Sequence, residues 1–284
     1  MRQVLTAAAV VALTGSAAWA DCAREEEIAR FAKDYIAMQP TEALGVGGSM
    51  VDALCTQARL AEVLSEAMGP VIGYKAGLTS APAQERFGAT EPVRGVLYRD
   101  MMLENGATLE GPWGAVPMVE ADLVLEISDS AVNAATTPAE VMQYVSAIYP
   151  FIELPDLALA KGQPMTPETI TAMGVGARLG VLGAAIPVED AEAMLTRLGA
   201  MTVEMRDGSG AVVASARGAA VLGNPVESVL WLHEAGVTFK AGDLVSVGSF
   251  GPLFPAVKMK GGATVSYAGL PGDPEVSVLF APES

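Results

Sequence analysis

Apolar residues recur at helical spacing twice near the start of the chain and then give way to short alternating runs. From Asp21 to Met38, Ile28, Phe31, Ala32, Tyr35 and Ile36 share one face behind an acidic first turn, which predicts an amphipathic helix. A break at G-V-G-G-S follows, and Leu54, Leu60, Leu64 and Met68 predict a second helix over residues 50–68. From Val71 onward the pattern changes to β-like runs punctuated by glycine and proline. Three helices interrupt them. Thr137-Pro138-Ala139-Glu140 is a capping box with proline at the first helical position, opening a helix to about Ala147. Pro187 to Leu198 reads as a helix closed by Gly199, and Asn224-Pro225-Val226-Glu227 opens one that Gly236 ends. Strand pairs are expected around Asp207-Gly208-Ser209-Gly210 and around the P-G-D-P turn at residues 271–274. The sum is an α+β chain: a helical cap over residues 21–70, then a β-rich domain over residues 71–284 with peripheral helices.

The stretch from Val116 to Ile127, V-P-M-V-E-A-D-L-V-L-E-I, carries the chemistry. On a strand, Val119, Ala121, Leu123, Leu125 and Ile127 form an apolar face while Glu120, Asp122 and Glu126 share the other. Residues two apart on a strand are about 7 Å apart, which lets two carboxylates converge on one oxygen-loving cation. Glu153, in Y-P-F-I-E-L-P-D, stands in another apolar run, where an unpaired carboxylate is costly or shifts its pKa. The plainer alternative is a half-buried strand whose acidic side meets water.

Composition narrows the partners. With 33 acidic against 17 basic residues and a formal charge of −16, the surface repels nucleic acid and anionic membranes, and no basic run offsets this. Residues 1–20 read as a secretory signal: Met1-Arg2 at the start, an apolar core from Val4 to Leu13, and Ala18-Trp19-Ala20 as the cleavage pattern. The core is too short to span a bilayer, so a periplasmic or secreted protein, free of the membrane after cleavage, is expected. In that compartment Cys22 and Cys55 are expected to form a disulfide, two free thiols being the alternative.

Counting removes several mechanisms. His233 is the lone histidine, which excludes a histidine-rich zinc site, and no G-x-S-x-G elbow is present. The stretch from Gly174 to Gly180 lacks the last glycine of a dinucleotide loop at the required spacing. Carboxylates with a hard cation remain, joined by Lys75 in G-Y-K-A-G-L-T. That lysine either holds a substrate carboxylate and passes protons, or lays its stem on the core with its head in water.

The ordered blocks G-Y-K-A-G-L-T-S, F-G-A-T-E-P-V-R-G-V-L-Y-R-D-M, P-M-V-E-A-D-L-V-L and Y-P-F-I-E-L-P-D resemble those of the 2-keto-4-pentenoate hydratase and 2-oxohex-3-enedioate decarboxylase branch of the fumarylacetoacetate hydrolase superfamily. The likeness continues through residues 217–232 and 240–252, and covers about residues 73 to 280. It implies a mixed β-roll core, with Mg²⁺ or Mn²⁺ held by Glu120, Asp122 and Glu153. It further implies Lys75 as the active-site lysine, Ser249 in the loop near the pocket, a small 2-oxo acid as substrate, a metal-bound enolate on the reaction path, and often a homo-oligomer. Departures fall near the expected pocket. Asp122 replaces a glutamate, Thr90 an acid, T-A-M-G-V-G-A at residues 171–177 a polar segment, and Leu157-Ala158 stand where the family has an arginine. These changes motivate a second reading, a periplasmic protein that binds a small organic acid on the same scaffold without turnover.

Overall fold

The computed structural model describes residues 21–281; the expected signal segment lies outside the described residues. Helix α1, Glu25–Ile36, buries Ile28, Phe31, Ala32 and Tyr35, and its first turn of Glu25, Glu26 and Glu27 suits the helix dipole. It starts four residues later than the periodicity predicts, because the residues before it are held extended against the next helix: the Ala23 N–H donates to Thr56 Oγ1 at 2.9 Å. Helix α2, Met50–Met68, opens on Ser49, whose hydroxyl and backbone exchange hydrogen bonds with Asp52. A Cys22–Cys55 disulfide joins this helix to the chain before α1, with Cα atoms 5.4 Å apart.

The β-rich part is built from β1 (Val71–Gly77), β2 (Val93–Tyr98), β3 (Met102–Glu104), β4 (Ala107–Leu109), β5 (Met118–Ile127), β6 (Val145–Leu154), β7 (Leu179–Leu182) and β8 (Ile186–Pro187). Six more follow: β9 (Thr202–Asp207), β10 (Val212–Arg217), β11 (Leu244–Ser246), β12 (Phe254–Pro255), β13 (Gly262–Ala268) and β14 (Glu275–Phe280). One mixed sheet runs β2-β1-β11-β5-β6-β7-β3, with β12 on β5 and β8 on β6; the second runs β10-β9-β13-β14-β4. Both expected strand pairs are present as β9–β10 and β13–β14. The apolar face of β5 fills the core between the sheets: Val119, Leu123, Leu125 and Ile127 are wholly buried. A second apolar cluster joins the two N-terminal helices to β2, through Phe31, Tyr35, Leu60 and Leu97.

Local propensity is overridden at two expected helices. Thr137 does cap α4, accepting from the Glu140 N–H, but the helix spans Pro138–Met142 and stops well short of Ala147. The alternating run from Val145 pairs with β5 from Glu120 to Ile127 instead. Helix α6, Ala191–Ala200, starts at the cap Asp190, because Ile186 and Pro187 are taken by β6, and it runs through Gly199. Two short helices go unannounced by periodicity, α3 (Ala81–Phe87) and α5 (Pro167–Ala172). The helix after Asn224, α7, spans Glu227–Glu234.

Candidate active site

Strand pairing alone brings two of the acids together. The antiparallel register of β5 and β6 sets Glu120 opposite Glu153 and Asp122 opposite Phe151, so all three carboxylates leave the same face of the sheet. Lys75 arrives from β1, where it lies beside Ser246 of β11. Its Nζ donates to Glu153 Oε1 and, at 3.1 Å, to the Val175 carbonyl. Both partners of this ion pair are buried, so Lys75 does not snorkel to water.

Val175 belongs to the segment that has lost its polar residues. It sits at φ 56°, a left-handed conformation that a β-branched residue adopts only under constraint from its surroundings. The result is a backbone carbonyl aimed at the lysine. Gly95, paired with Lys75 on β2, leaves room for this: a Cβ there would stand 2.8 Å from the Gly174 carbonyl and 3.0 Å from Lys75 Cγ.

Asp122 is wholly buried and held by three donors. Its Oδ1 accepts from the N–H groups of Leu123 at 2.6 Å and Gly248 at 3.0 Å, and its Oδ2 from Ser246 Oγ at 2.5 Å. Gly248 makes that approach at φ 105°, where a Cβ would fall 2.4 Å from Thr79 Oγ1. The Tyr267 hydroxyl donates to the Asp122 carbonyl at 2.5 Å and accepts from the Phe151 N–H at 3.1 Å, bracing β5 against β6. Burial, then the Glu153 charge, pushes the Asp122 carboxyl up to about 7 against the opposing pull of its donors. Glu120 is raised well above the ordinary carboxylate range, first by burial and then by Glu153, with Lys75 opposing.

Asp122 and Glu153 are buried and Glu120 is half-buried, so this face is not a solvated strand edge. Glu153 Oε2 is buried with no hydrogen-bond partner. An unpartnered carboxyl oxygen across from a second carboxyl is the kind of donor pair a hard divalent cation takes, and Glu120 and Glu153 are the side chains that could hold one. Among the described residues no three acidic, histidine or cysteine side chains stand ready as a complete ligand set. Asp122, a methylene shorter than glutamate, spends its oxygens on Ser246 and the backbone.

Ser249 is not drawn into this cluster; its hydroxyl donates to the Gly251 carbonyl of its own loop at 3.0 Å. Ser246, three residues earlier, is the serine that touches an acid. Sequence reasoning missed it and Tyr267. The alternation of V-S-V in β11 pointed to one polar residue on the acidic side of that strand, which was the available signal. Asp156 is a further buried acid, but it closes a turn, accepting from Ala115, Val116 and Ala158 N–H groups at 3.0, 2.7 and 3.0 Å.

Lys75 and Glu120 open onto a cavity of about 70 Å³ whose other walls are apolar, among them Leu78, Phe87, Leu157, Met165 and Ile170. Helices α3 and α5 supply Phe87 and Ile170, which explains what these two short elements do.

A mixed β-roll presenting buried carboxylates and a lysine to a small apolar cavity is the architecture of the fumarylacetoacetate hydrolase superfamily. The fold is similar to that of 4-oxalocrotonate decarboxylase from Pseudomonas putida G7 complexed with magnesium and adipate, with TM-score 0.74 at 21% identity over 91% of this chain and 98% of that one. It also resembles fumarylpyruvate hydrolase from Pseudomonas aeruginosa in complex with Mn²⁺ and pyruvate, with TM-score 0.55 at 16% identity over 75% and 91% of the two chains. No family model matches the sequence. Relatives do: 2-keto-4-pentenoate hydratase 1 of Dechloromonas aromatica is 31% identical over 215 residues, 74% of this chain and 78% of that protein. The 2-keto-4-pentenoate hydratase of Paraburkholderia xenovorans is 30% identical over 187 residues, 64% and 67% of the two. The chain belongs to the 2-keto-4-pentenoate hydratase family, a family of hydro-lyases.

Proposed function

We propose that the protein is an exported, divalent-metal-dependent hydro-lyase that adds water to a small 2-hydroxydienoic acid carrying one carboxylate. The observation that carries this reading is that Lys75 and Glu120 line a cavity with otherwise apolar walls, with Glu153 ion-paired to the lysine and opposite Glu120 behind them. Among the described residues Lys75 is the one cation on that wall, so it matches a single anionic group of the substrate. A second carboxylate would lose its hydration against Phe87, Leu157 and Met165 without a partner, at a cost of several kcal/mol. This favours hydration of a monoacid over decarboxylation of a dienedioate.

Mg²⁺ or Mn²⁺ held by Glu120 and Glu153, with Asp122 braced behind them, would stabilise negative charge growing on the substrate's 2-oxygen. The proton of the 2-hydroxyl moves to the far end of the diene, giving a 2-oxo-3-enoate. Water then adds at C4 and its second proton goes to C3, so that atoms and charge balance. Lys75 Nζ orients the substrate carboxylate and is the proton carrier on the cavity wall. The apolar walls keep bulk water from the diene. The cavity has room for about two waters at ~30 Å³ each, and α3, which buries no side chain fully, is the wall with least packing to lose when a five-carbon acid enters.

Export rests on the pattern of residues 1–20 and on the Cys22–Cys55 disulfide, a bond suited to an oxidising compartment. The hydratase reading is tested by mixing the purified protein, Mg²⁺ or Mn²⁺ and 2-hydroxypenta-2,4-dienoate and following the dienol absorbance. Decay above the spontaneous rate, abolished by Glu120→Ala, is expected. The full engagement of Asp122 favours a second reading, a binding protein. Calorimetry that finds a bound 2-oxo acid while the dienol decays only spontaneously would select it and overturn the first.

A further inference from the structure

We propose that the cavity between α2, the β1–β2 pair and the residues after α7 is a second binding site, for a small oxyanion, with Arg94 as its anchor. The cavity measures about 320 Å³ and is lined by Tyr74, Arg94, Gln57, Leu54, Gly236 and Thr238, among others. Arg94 pairs with Ala76 and Tyr74 with Val96 across the β1–β2 ladder, which makes Arg94 and Tyr74 diagonal neighbours on one face. Lys75, between Tyr74 and Ala76, leaves the opposite face of β1. The site is thus separate from the acidic cluster.

Three observations point to an anion. First, Arg94 has no carboxylate within 4.0 Å among the described residues; of the other arginines that lack one, Arg59, Arg86, Arg197 and Arg217 are exposed and Arg178 gives both Nε and Nη1 to backbone carbonyls. Second, of its five N–H donors only one is used: Nη1 donates to the Ala235 carbonyl at 2.7 Å, at the end of α7. Capping that helix explains Nη1 and nothing else. Third, Nε is buried and has no hydrogen-bond partner among the described residues, so the guanidinium as a whole is under-satisfied. With Nη1 occupied and Nε covered, Nη2 is the free end of the guanidinium, a charged donor for one oxygen of a carboxylate or phosphate. The Tyr74 hydroxyl likewise has no hydrogen-bond partner among the described residues, while its ring is fixed edge-on against Phe239. Asp243, whose charge is felt at Tyr74, accepts from the Lys240 N–H at 2.9 Å and makes no ion pair with Arg94.

Selenate soaked into crystals of the protein should give an anomalous peak beside Arg94 Nη2. Calorimetric titrations with inorganic phosphate and, separately, acetate then tell which oxyanion the site prefers. Arg94→Gln should weaken that binding at least tenfold, Arg94→Lys should fall between, and Arg206→Gln, at an exposed arginine that does not line the cavity, should leave it unchanged. The proposal is overturned when selenate binds elsewhere but not at Arg94, or when Arg94→Gln binds phosphate and acetate as the parent does.

Discussion

Lys75 and Glu153 form an ion pair inside the sheet, 2% and 1% exposed, with Glu120 across the strand from the glutamate. Removing one member of such a pair leaves the other charged and uncompensated, which typically costs about 3–5 kcal/mol. Lys75→Met should therefore destabilise the metal-free protein by that order in urea unfolding. Lys75→Met with Glu153→Gln should recover much of the loss, because no charge is then stranded. A double variant no more stable than Lys75→Met alone would show that the pair is not coupled as its geometry requires.

The stability of the metal-free protein should fall as pH rises through neutrality. Asp122, pushed up to about 7, binds its proton in the folded state over a range in which the unfolded chain, with an aspartate pKa of about 3.9, has released it. The folded state then holds more protons, so this contribution is complete below about pH 4 and is lost as pH climbs through 7. Glu120 shifts in the same direction. Thermal unfolding in a chelator should show the decline between pH 5 and 7.5. Mn²⁺ should flatten it, since a divalent cation replaces the protons; a slope that Mn²⁺ leaves untouched would contradict Glu120 and Glu153 as its holders.

The acidic face was legible in the sequence because strand alternation is local: once β5 is a strand, Glu120 and Asp122 must share a side. That Glu153 lies opposite Glu120, and not opposite Asp122, depends on the β5–β6 register, which is set by tertiary pairing. The Asp122 clamp was invisible for the same reason, since Ser246 and Gly248 lie more than a hundred residues away. The helix expected to reach Ala147 failed where pairing of the ten-residue strand β6 with β5 outweighed a good cap. Helices α3 and α5 are only seven and six residues long, too short to show periodicity.

Ser246→Ala removes the hydroxyl that holds Asp122 Oδ2 and leaves that oxygen without a donor in a buried setting. A loss of about 1–3 kcal/mol in stability is expected. Partners behind metal-holding side chains commonly set affinity by 10-fold or more, so Mn²⁺ binding by calorimetry should weaken by about tenfold. Unchanged Mn²⁺ affinity in a folded Ser246→Ala would show that the Asp122 clamp does not position Glu120, two residues away on β5, for the cation.

The Cys22–Cys55 bond closes a loop across 33 positions of chain. Constraining the unfolded state over such a loop is worth about 4 kcal/mol in the chain-entropy model. Paired Cys22→Ser and Cys55→Ser substitutions should lower stability by up to that amount. The parent under reducing conditions should match the variant. A parent insensitive to reductant would mean that the bond adds nothing to the fold.

Specificity for one carboxylate should be reversible at a single wall position. Leu157 lines the apolar end of the cavity, away from any basic side chain but Lys75 among the described lining residues. An arginine there would supply a planar fork able to pair with a distal carboxylate, at the expense of the apolar contact that leucine would offer a substrate's tail. Leu157→Arg should therefore weaken binding of a five-carbon 2-oxo monoacid and strengthen binding of a six-carbon 2-oxo diacid, moving the ratio of the two affinities by at least tenfold. Arginine carries its own desolvation cost, so Leu157→Gln serves as the comparison: it makes the wall polar without adding charge. If Leu157→Gln shifts the ratio as far as Leu157→Arg, polarity and not charge pairing governs the choice of substrate, and the single-carboxylate argument built on Lys75 fails.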